Sequence, residues 1–147
     1  MSSGFLLDTN VLSKLMRAEP ASAVLDWFAK NVQIAMHTGT VNQAEILMGI
    51  ALLSSGKRRT GRTLTAEQLF EQEFAGRCPV FDAAAAKNYA VLVAARILLG
   101  QPISTEDAQI AAIALASGLT VATCNSGDFE NIDGLNLANP WQTSTPH

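Results

Sequence analysis

Asp8, Glu45, Asp107 and Asp128 are the side chains on which chemistry can rest in this 147-residue chain. It carries only two histidines, His37 and His147, and two cysteines, Cys78 and Cys124, far apart and without ligand spacing. That inventory excludes a zinc site rich in His and Cys, and any mechanism built on paired histidines. What remains is carboxylate chemistry. No Lys or Arg follows Arg96, so Glu106, Asp107, Asp128, Glu130 and Asp133 stand uncompensated in sequence. Acids gathered without cationic partners repel one another and are stable together only with raised pKa values or a bound cation. An all-oxygen donor set favours a hard ion that keeps waters, Mg²⁺ or Mn²⁺, and such a site hydrolyses phosphodiesters. A solvated acidic surface is the plain alternative.

Each acid also has a structural reading. Asp8 ends the apolar run Phe5-Leu6-Leu7 and is followed by Thr9 and Asn10, so it sits where a short strand gives way to a helix. Ligands collect beyond the carboxyl ends of strands in open α/β sheets, but Asp is equally a helix cap. Thr40-Val41-Asn42-Gln43 fits a capping box with Thr40 as N-cap and Gln43 reaching back, which leaves Glu45 in the helix body between Val41 and Gly49. Glu45 is therefore either an inward-facing acid or an ordinary exposed one. Ser104-Thr105-Glu106-Asp107 makes a second capping box, which would account for Asp107 without any ligand. Asn125 and Asp128 follow the strand Leu119-Thr120-Val121-Ala122, and Thr123 ends it.

The elements that must position these groups alternate along the chain. Strands are expected at Phe5–Leu7, Ile34–Met36, Pro79–Phe81 and Leu119–Ala122, with an edge strand near Leu135–Leu137. Helices are expected from Asn10 to about Met16, Ala21 to about Asn31 with Pro20 before it and Val32 on its apolar stripe, Thr40–Leu53, Ala66–Phe74, Asp82–Leu99 and Ser104–Ser117, with Ser54–Thr63 a polar connection. The pattern predicts an α/β fold with a mainly parallel central sheet of four to five strands and helices on both faces. Residues 1–147 read as one domain. The hydrophobic share of 48% against 16% charged argues for a buried core rather than disorder. No apolar run reaches the roughly 20 residues of a membrane helix, and Asp8 interrupts the one N-terminal apolar stretch, so a cytoplasmic protein is expected.

The stretches Leu6-Leu7-Asp8-Thr9-Asn10-Val11-Leu12-Ser13, Gln43-Ala44-Glu45-Ile46 with Gly49-Ile50, and Asp107-Ala108-Gln109-Ile110-Ala111-Ala112-Ile113-Ala114 resemble the PIN domain. Thr123, Asn125, Asp128-Phe129 and Asn139-Pro140-Trp141 extend the likeness to the VapC/FitB-like ribonuclease toxins of toxin–antitoxin modules. The resemblance covers nearly the whole length with the motifs in order. It implies a PIN fold, a Mg²⁺- or Mn²⁺-dependent endoribonuclease leaving 5′-phosphate and 3′-hydroxyl ends, a homodimer, a cognate antitoxin, and a tRNA, rRNA or mRNA substrate. Carried over by position, Asp8, Glu45 and Asp107 are metal-coordinating acids, with Asn125 or Asp128 in the fourth slot. Thr9, Asn10, Thr123 and Asn125 are their supports. Lys14, Arg17, Lys57, Arg58, Arg59 and Arg62 are candidates to meet RNA. Cys124 stands where relatives often carry Arg, and Asn42 where Thr is more usual.

Two other readings compete. One is a PIN scaffold that binds RNA or a protein without cutting. The other is a phosphoacceptor domain of receiver type, which wants a lysine after a late strand; no lysine follows Lys87.

Overall fold

The computed structural model describes residues 4–17, 19, 22–31 and 33–141. Pro20, Ala21 and Val32, expected at the ends of the second helix, and His147 lie outside them. The order is β1 (Phe5–Leu7), α1 (Thr9–Leu15), α2 (Ser22–Lys30), β2 (Met36–His37), α3 (Thr40–Ala51), α4 (Lys57–Gln68), α5 (Ala83–Leu98), α6 (Thr105–Ser117), β3 (Thr120–Ala122) and β4 (Leu137–Ala138). Among the described residues four strands form one all-parallel sheet in the order β2-β1-β3-β4.

Alternation along the strands sends successive side chains to opposite faces, and the core divides accordingly. Leu6 and Val121 join Ile110, Ile113 and Phe129 on the α5–α6 side. Leu7 and Ala122 join Val11, Leu12, Ile46 and Ala66 on the side of α1, α3 and α4. A chain buried on both faces needs strands apolar at every position, and Phe5-Leu6-Leu7 and Val121-Ala122 meet that demand. The chain leaves the carboxyl end of β1 towards β2 and that of β3 towards β4, so the connections depart in opposite directions and a crevice opens between this neighbouring pair. That crevice is the switch point at which ligands sit in such sheets.

Three expectations are corrected. Pro79–Phe81 is not a strand: the segment runs beside residues 38–40, its carbonyls at Arg77 and Pro79 accepting from Thr38 N and Thr40 N at 3.1 and 3.2 Å. Proline has no N–H to return, so no ladder forms. The polar connection is helical from Lys57 onward as α4, which runs to Gln68 and then widens into a π-type turn over Leu69–Glu73. The cap of α3 lies one residue earlier than expected. Gly39 is the N-cap, and Asn42 Oδ1 accepts from its N–H at 3.1 Å. A Cβ at Gly39 would stand 2.9 Å from Asn42 Oδ1, so the residue that is capped must be small.

Candidate active site

Asp8 leaves β1 as the N-cap of α1, so the capping reading is correct and incomplete. The residue is 5% exposed, and among the described residues its carboxylate takes three hydrogen bonds. Thr9 N donates to Oδ1 at 2.8 Å, while Asn10 Nδ2 and Thr123 Oγ1 donate to Oδ2 at 2.9 and 2.8 Å. A carboxylate offers about four acceptor sites. Three are filled, and the remaining one lies on Oδ1. Burial pushes the Asp8 pKa up, the Thr123, Thr9 and Asn10 donors oppose that, and the nearby Glu45 charge adds to it.

Glu45 is tied to the same corner. Thr9 Oγ1 donates to Glu45 Oε1 at 2.8 Å, and Asn42 Nδ2 donates to Thr9 Oγ1 at 3.3 Å. A chain of donors therefore runs from the start of α3 through a fully buried Asn42 and Thr9 to Glu45. The half-buried Glu45 is not an ordinary exposed acid. Burial raises its pKa, Thr9 lowers it, and Glu106 and Asp107 raise it further.

Asp107 faces this pair from the first turn of α6. Ser104 Oγ accepts from Asp107 N at 3.2 Å, which satisfies the backbone as expected of a cap. The carboxyl itself is half-buried, and its pKa is raised by burial and by the charges of Asp8, Asp128 and Glu106. Asp128 approaches from the 3-10 turn Ser126–Phe129 and is exposed. Every charged group that perturbs Asp8, Glu45 and Asp107 is thus another acid.

These acids share one crevice without closing on a point. Among the described residues no three His, Cys, Asp or Glu side chains are gathered tightly enough to hold a metal ion as they stand. The donor chemistry nevertheless fits a hard divalent cation: oxygen ligands only, negative charge unbalanced by Lys or Arg, and one unfilled acceptor site on an immobilised carboxylate.

The supporting residues fall into two kinds. Asn10 and Thr123 hold Asp8, Asn10 Oδ1 also accepts from Cys124 N at 3.2 Å, and Thr123 Oγ1 accepts from Asn125 N at 3.0 Å. The Asn125 side chain is exposed and meets the Cys124 thiol at 3.8 Å, so its carboxamide is not drawn to the acids. Two residues escaped the sequence reading. Asn42 was noted only as a departure, yet it joins α3 to Thr9. Arg96, 6% exposed, uses Nε for Gln101 O at 2.6 Å and Nη1 for Asp128 O and Glu130 O at 3.2 and 2.9 Å. It staples the turn bearing Asp128 to α5.

The basic candidates separate as well. Lys14 Nζ lies 5.8 Å from the centroid of the Trp141 ring, and Arg17 is exposed. Arg58 and Arg62, one helical turn apart on α4, line a cleft with Thr9 and Glu45, whereas Arg59 lines a separate depression with Ser55 and Gly56.

A family model described as the PIN domain matches residues 5–135. The chain is 44% identical over 137 residues to the plasmid stability protein StbB of Pseudomonas syringae pv. tomato, a match covering 93% of this chain and 98% of that protein. It is 39% identical over 137 residues to the VapC ribonuclease Y4jK of Sinorhizobium fredii, covering 93% and 97%. The solved structure of FitAB bound to an IR36 DNA fragment superposes with a TM-score of 0.85 over 97% of this chain and 99% of that one, at 32% identity. With the family match spanning β1, β3 and all four acids, the chain belongs to the PIN-domain family and stands with its VapC and FitB toxins.

Proposed function

We propose that residues 1–147 form one PIN domain that hydrolyses RNA phosphodiester bonds as the toxin of a toxin–antitoxin pair, with Asp8, Glu45, Asp107 and Asp128 as its acidic residues. The observation that carries this reading is the Thr9 hydroxyl linking Glu45 to the Asp8 corner at the switch point, with Asp107 raising their charge burden from across the crevice. The relatives' names support it, one being a VapC ribonuclease and the solved neighbour a FitAB complex on DNA. A cognate antitoxin and a tRNA, rRNA or mRNA substrate are the partners, and a homodimer the working form. No helix among the described residues is long and apolar enough to cross a membrane, and the cytoplasm is where such a substrate is met.

Asp8, Glu45, Asp107 and Asp128 would hold Mg²⁺ or Mn²⁺, an ion that when bound would supply charge to polarise a non-bridging phosphate oxygen and make the attacking water more acidic. Thr9 and Asn10 favour the ionised form of Asp8 and aim it, and Thr123 holds it from the other side. Asp107 or Asp128 would align the water and take its proton as the water oxygen attacks phosphorus. The bond from phosphorus to the 3′-oxygen breaks, and that oxygen takes a proton from solvent. The products carry 5′-phosphate and 3′-hydroxyl ends.

A second reading is a scaffold that binds RNA or protein without cutting, favoured by acids that do not close on a point. RNA cleavage by the antitoxin-free protein with Mn²⁺ or Mg²⁺, against EDTA and Asp8→Asn, separates the two. Metal-dependent cutting lost in the variant supports the nuclease. A folded protein that binds RNA and Mn²⁺ yet cuts none of tRNA, rRNA and mRNA leaves the scaffold.

A further inference from the structure

The cleft beside Glu45 has a chemistry of its own. It opens between α1, α3 and α4, has a volume of about 250 Å³, and is lined by Thr9 and Glu45 together with Arg58 and Arg62. Its apolar lining is Met16, Ile46, Ile50 and Leu53. The volume is below the roughly 300 Å³ at which pockets for whole small ligands begin. It suits one unit of a longer molecule better than a free metabolite. The two arginines are spaced i, i+4 and so project on the same side of α4. Among the described residues neither guanidinium makes a hydrogen bond or an ion pair.

The placement of positive charge on α4 runs against helix stability. Lys57, Arg58 and Arg59 occupy the first turn, where the helix dipole is already positive, and no acid offsets them there. An anion supplied from outside offsets both the dipole and the side chains. Gly49 completes the cleft: a Cβ there would meet no atom within 4 Å, so bare helix backbone forms part of the wall.

We propose that this cleft seats the nucleotide adjoining the scissile phosphate of single-stranded RNA, its base on Met16, Ile46 and Ile50 against Gly49 and its phosphate on Arg58 and Arg62. The proposal rests on the nuclease reading for its orientation towards Glu45. An anionic backbone matches the two free arginines. A planar base suits an apolar lining containing a polarisable thioether. The acids beyond Glu45 repel phosphate unless a cation is present, so the arginines draw the strand into the cleft while Glu45 joins that cleft to the acids where the bond is to be cut. The cleft therefore sets which base is tolerated beside the cut.

The test uses the full chain with Asp8→Asn to prevent turnover and a fluorescein-labelled single-stranded oligoribonucleotide with Mn²⁺. Arg58→Ala with Arg62→Ala should weaken binding at least tenfold and lower the slope of log affinity against log salt by about 0.7, the loss of one phosphate contact on a single strand. Gly49→Leu, at a position where a Cβ meets no atom within 4 Å, narrows the cleft and should weaken binding of natural strands while sparing one that is abasic at the seated position. With Asp8 restored, Gly49→Leu should change the base preference beside the cut in a randomised pool. Unchanged binding, salt slope and preference in both variants, with cutting intact, overturns the subsite and leaves the nuclease standing. Loss of binding in both variants without any cutting by the parent protein leaves an RNA-binding cleft but removes the nuclease reading, and with it the placement of that cleft beside a scissile phosphate. Unchanged RNA binding with weakened capture of a protein partner assigns the cleft to protein and overturns the proposal.

Discussion

The two walls of the acidic crevice are built to different standards. On the β1 wall, Asp8 is nearly sealed and held by three donors from Thr9, Asn10 and Thr123. On the opposite wall, Asp107 is half-buried at a helix start, and Asp128 is exposed on a turn held from below by Arg96. Rigidity on one side gives a fixed reference, because a carboxylate immobilised by three donors cannot turn away from its partners. Openness on the other leaves room for substrate and water. The difference teaches that the four acids are not equivalent.

Substitution should expose that inequality. Loss of a group that merely supports a metal ligand typically costs about 10–100-fold, so Asp8→Asn should lower the RNA-cleavage rate by more than about 100-fold. Asp128→Asn should lower it less than about tenfold in the same assay. Equal losses would dissolve the contrast between the walls. Removing the staple tests the open wall from beneath. Arg96→Met removes the three hydrogen bonds that the buried guanidinium donates to the carbonyls of Gln101, Asp128 and Glu130, each worth about 1 kcal/mol net. A loss of about 3 kcal/mol in urea unfolding is expected, and the Met side chain keeps the packing of the arginine stem.

Thr123→Val sharpens the comparison from the closed wall. It removes one of three donors to Asp8, so the Asp8 pKa should climb further. Cleavage should fall about tenfold near pH 6 and recover as pH rises, and a pH–rate profile displaced to the alkaline side is the check. The smallest effect lies in the stability of the metal-free protein. Asp8, Glu45 and Asp107 hold their protons to higher pH when folded than when unfolded. The native state therefore binds more protons from the ordinary carboxylate range upward, and these groups destabilise it as pH rises through their folded values. Melting in EDTA should fall by a few degrees more between pH 5 and pH 8 in the parent than in Asp8→Asn, and Mn²⁺ should reverse the fall.

Legibility in the sequence followed the same division. Asp8 could be read because an apolar run ends in Asp-Thr-Asn, and Glu45 because Val41 and Gly49 flank it at helical spacing. Alternating strands and helices were enough for a parallel sheet. The α4 helix was hidden because it buries only Ala66 and shows no apolar stripe; its Arg and Lys side chains favour helix without announcing it. The α3 cap was displaced by one residue because glycine carries no polar side chain to mark it, and the donor pattern had to be read from Asn42 instead. Pro79-Val80-Phe81 has the composition of a strand but not the N–H groups of one. Arg96 was invisible as a staple because backbone carbonyls, its partners, have no sequence signature.

The hydrogen bond from Thr123 to Asp8 spans 115 positions of the chain. A contact of that separation forms only after the intervening chain can close upon itself. During synthesis, β1 and α1 emerge long before β3 and Thr123. Until β3 follows, Asp8 lacks both that strand neighbour and one of its donors. The acidic site therefore cannot assemble on β1 and α1 alone, and competence waits on the emergence of β3.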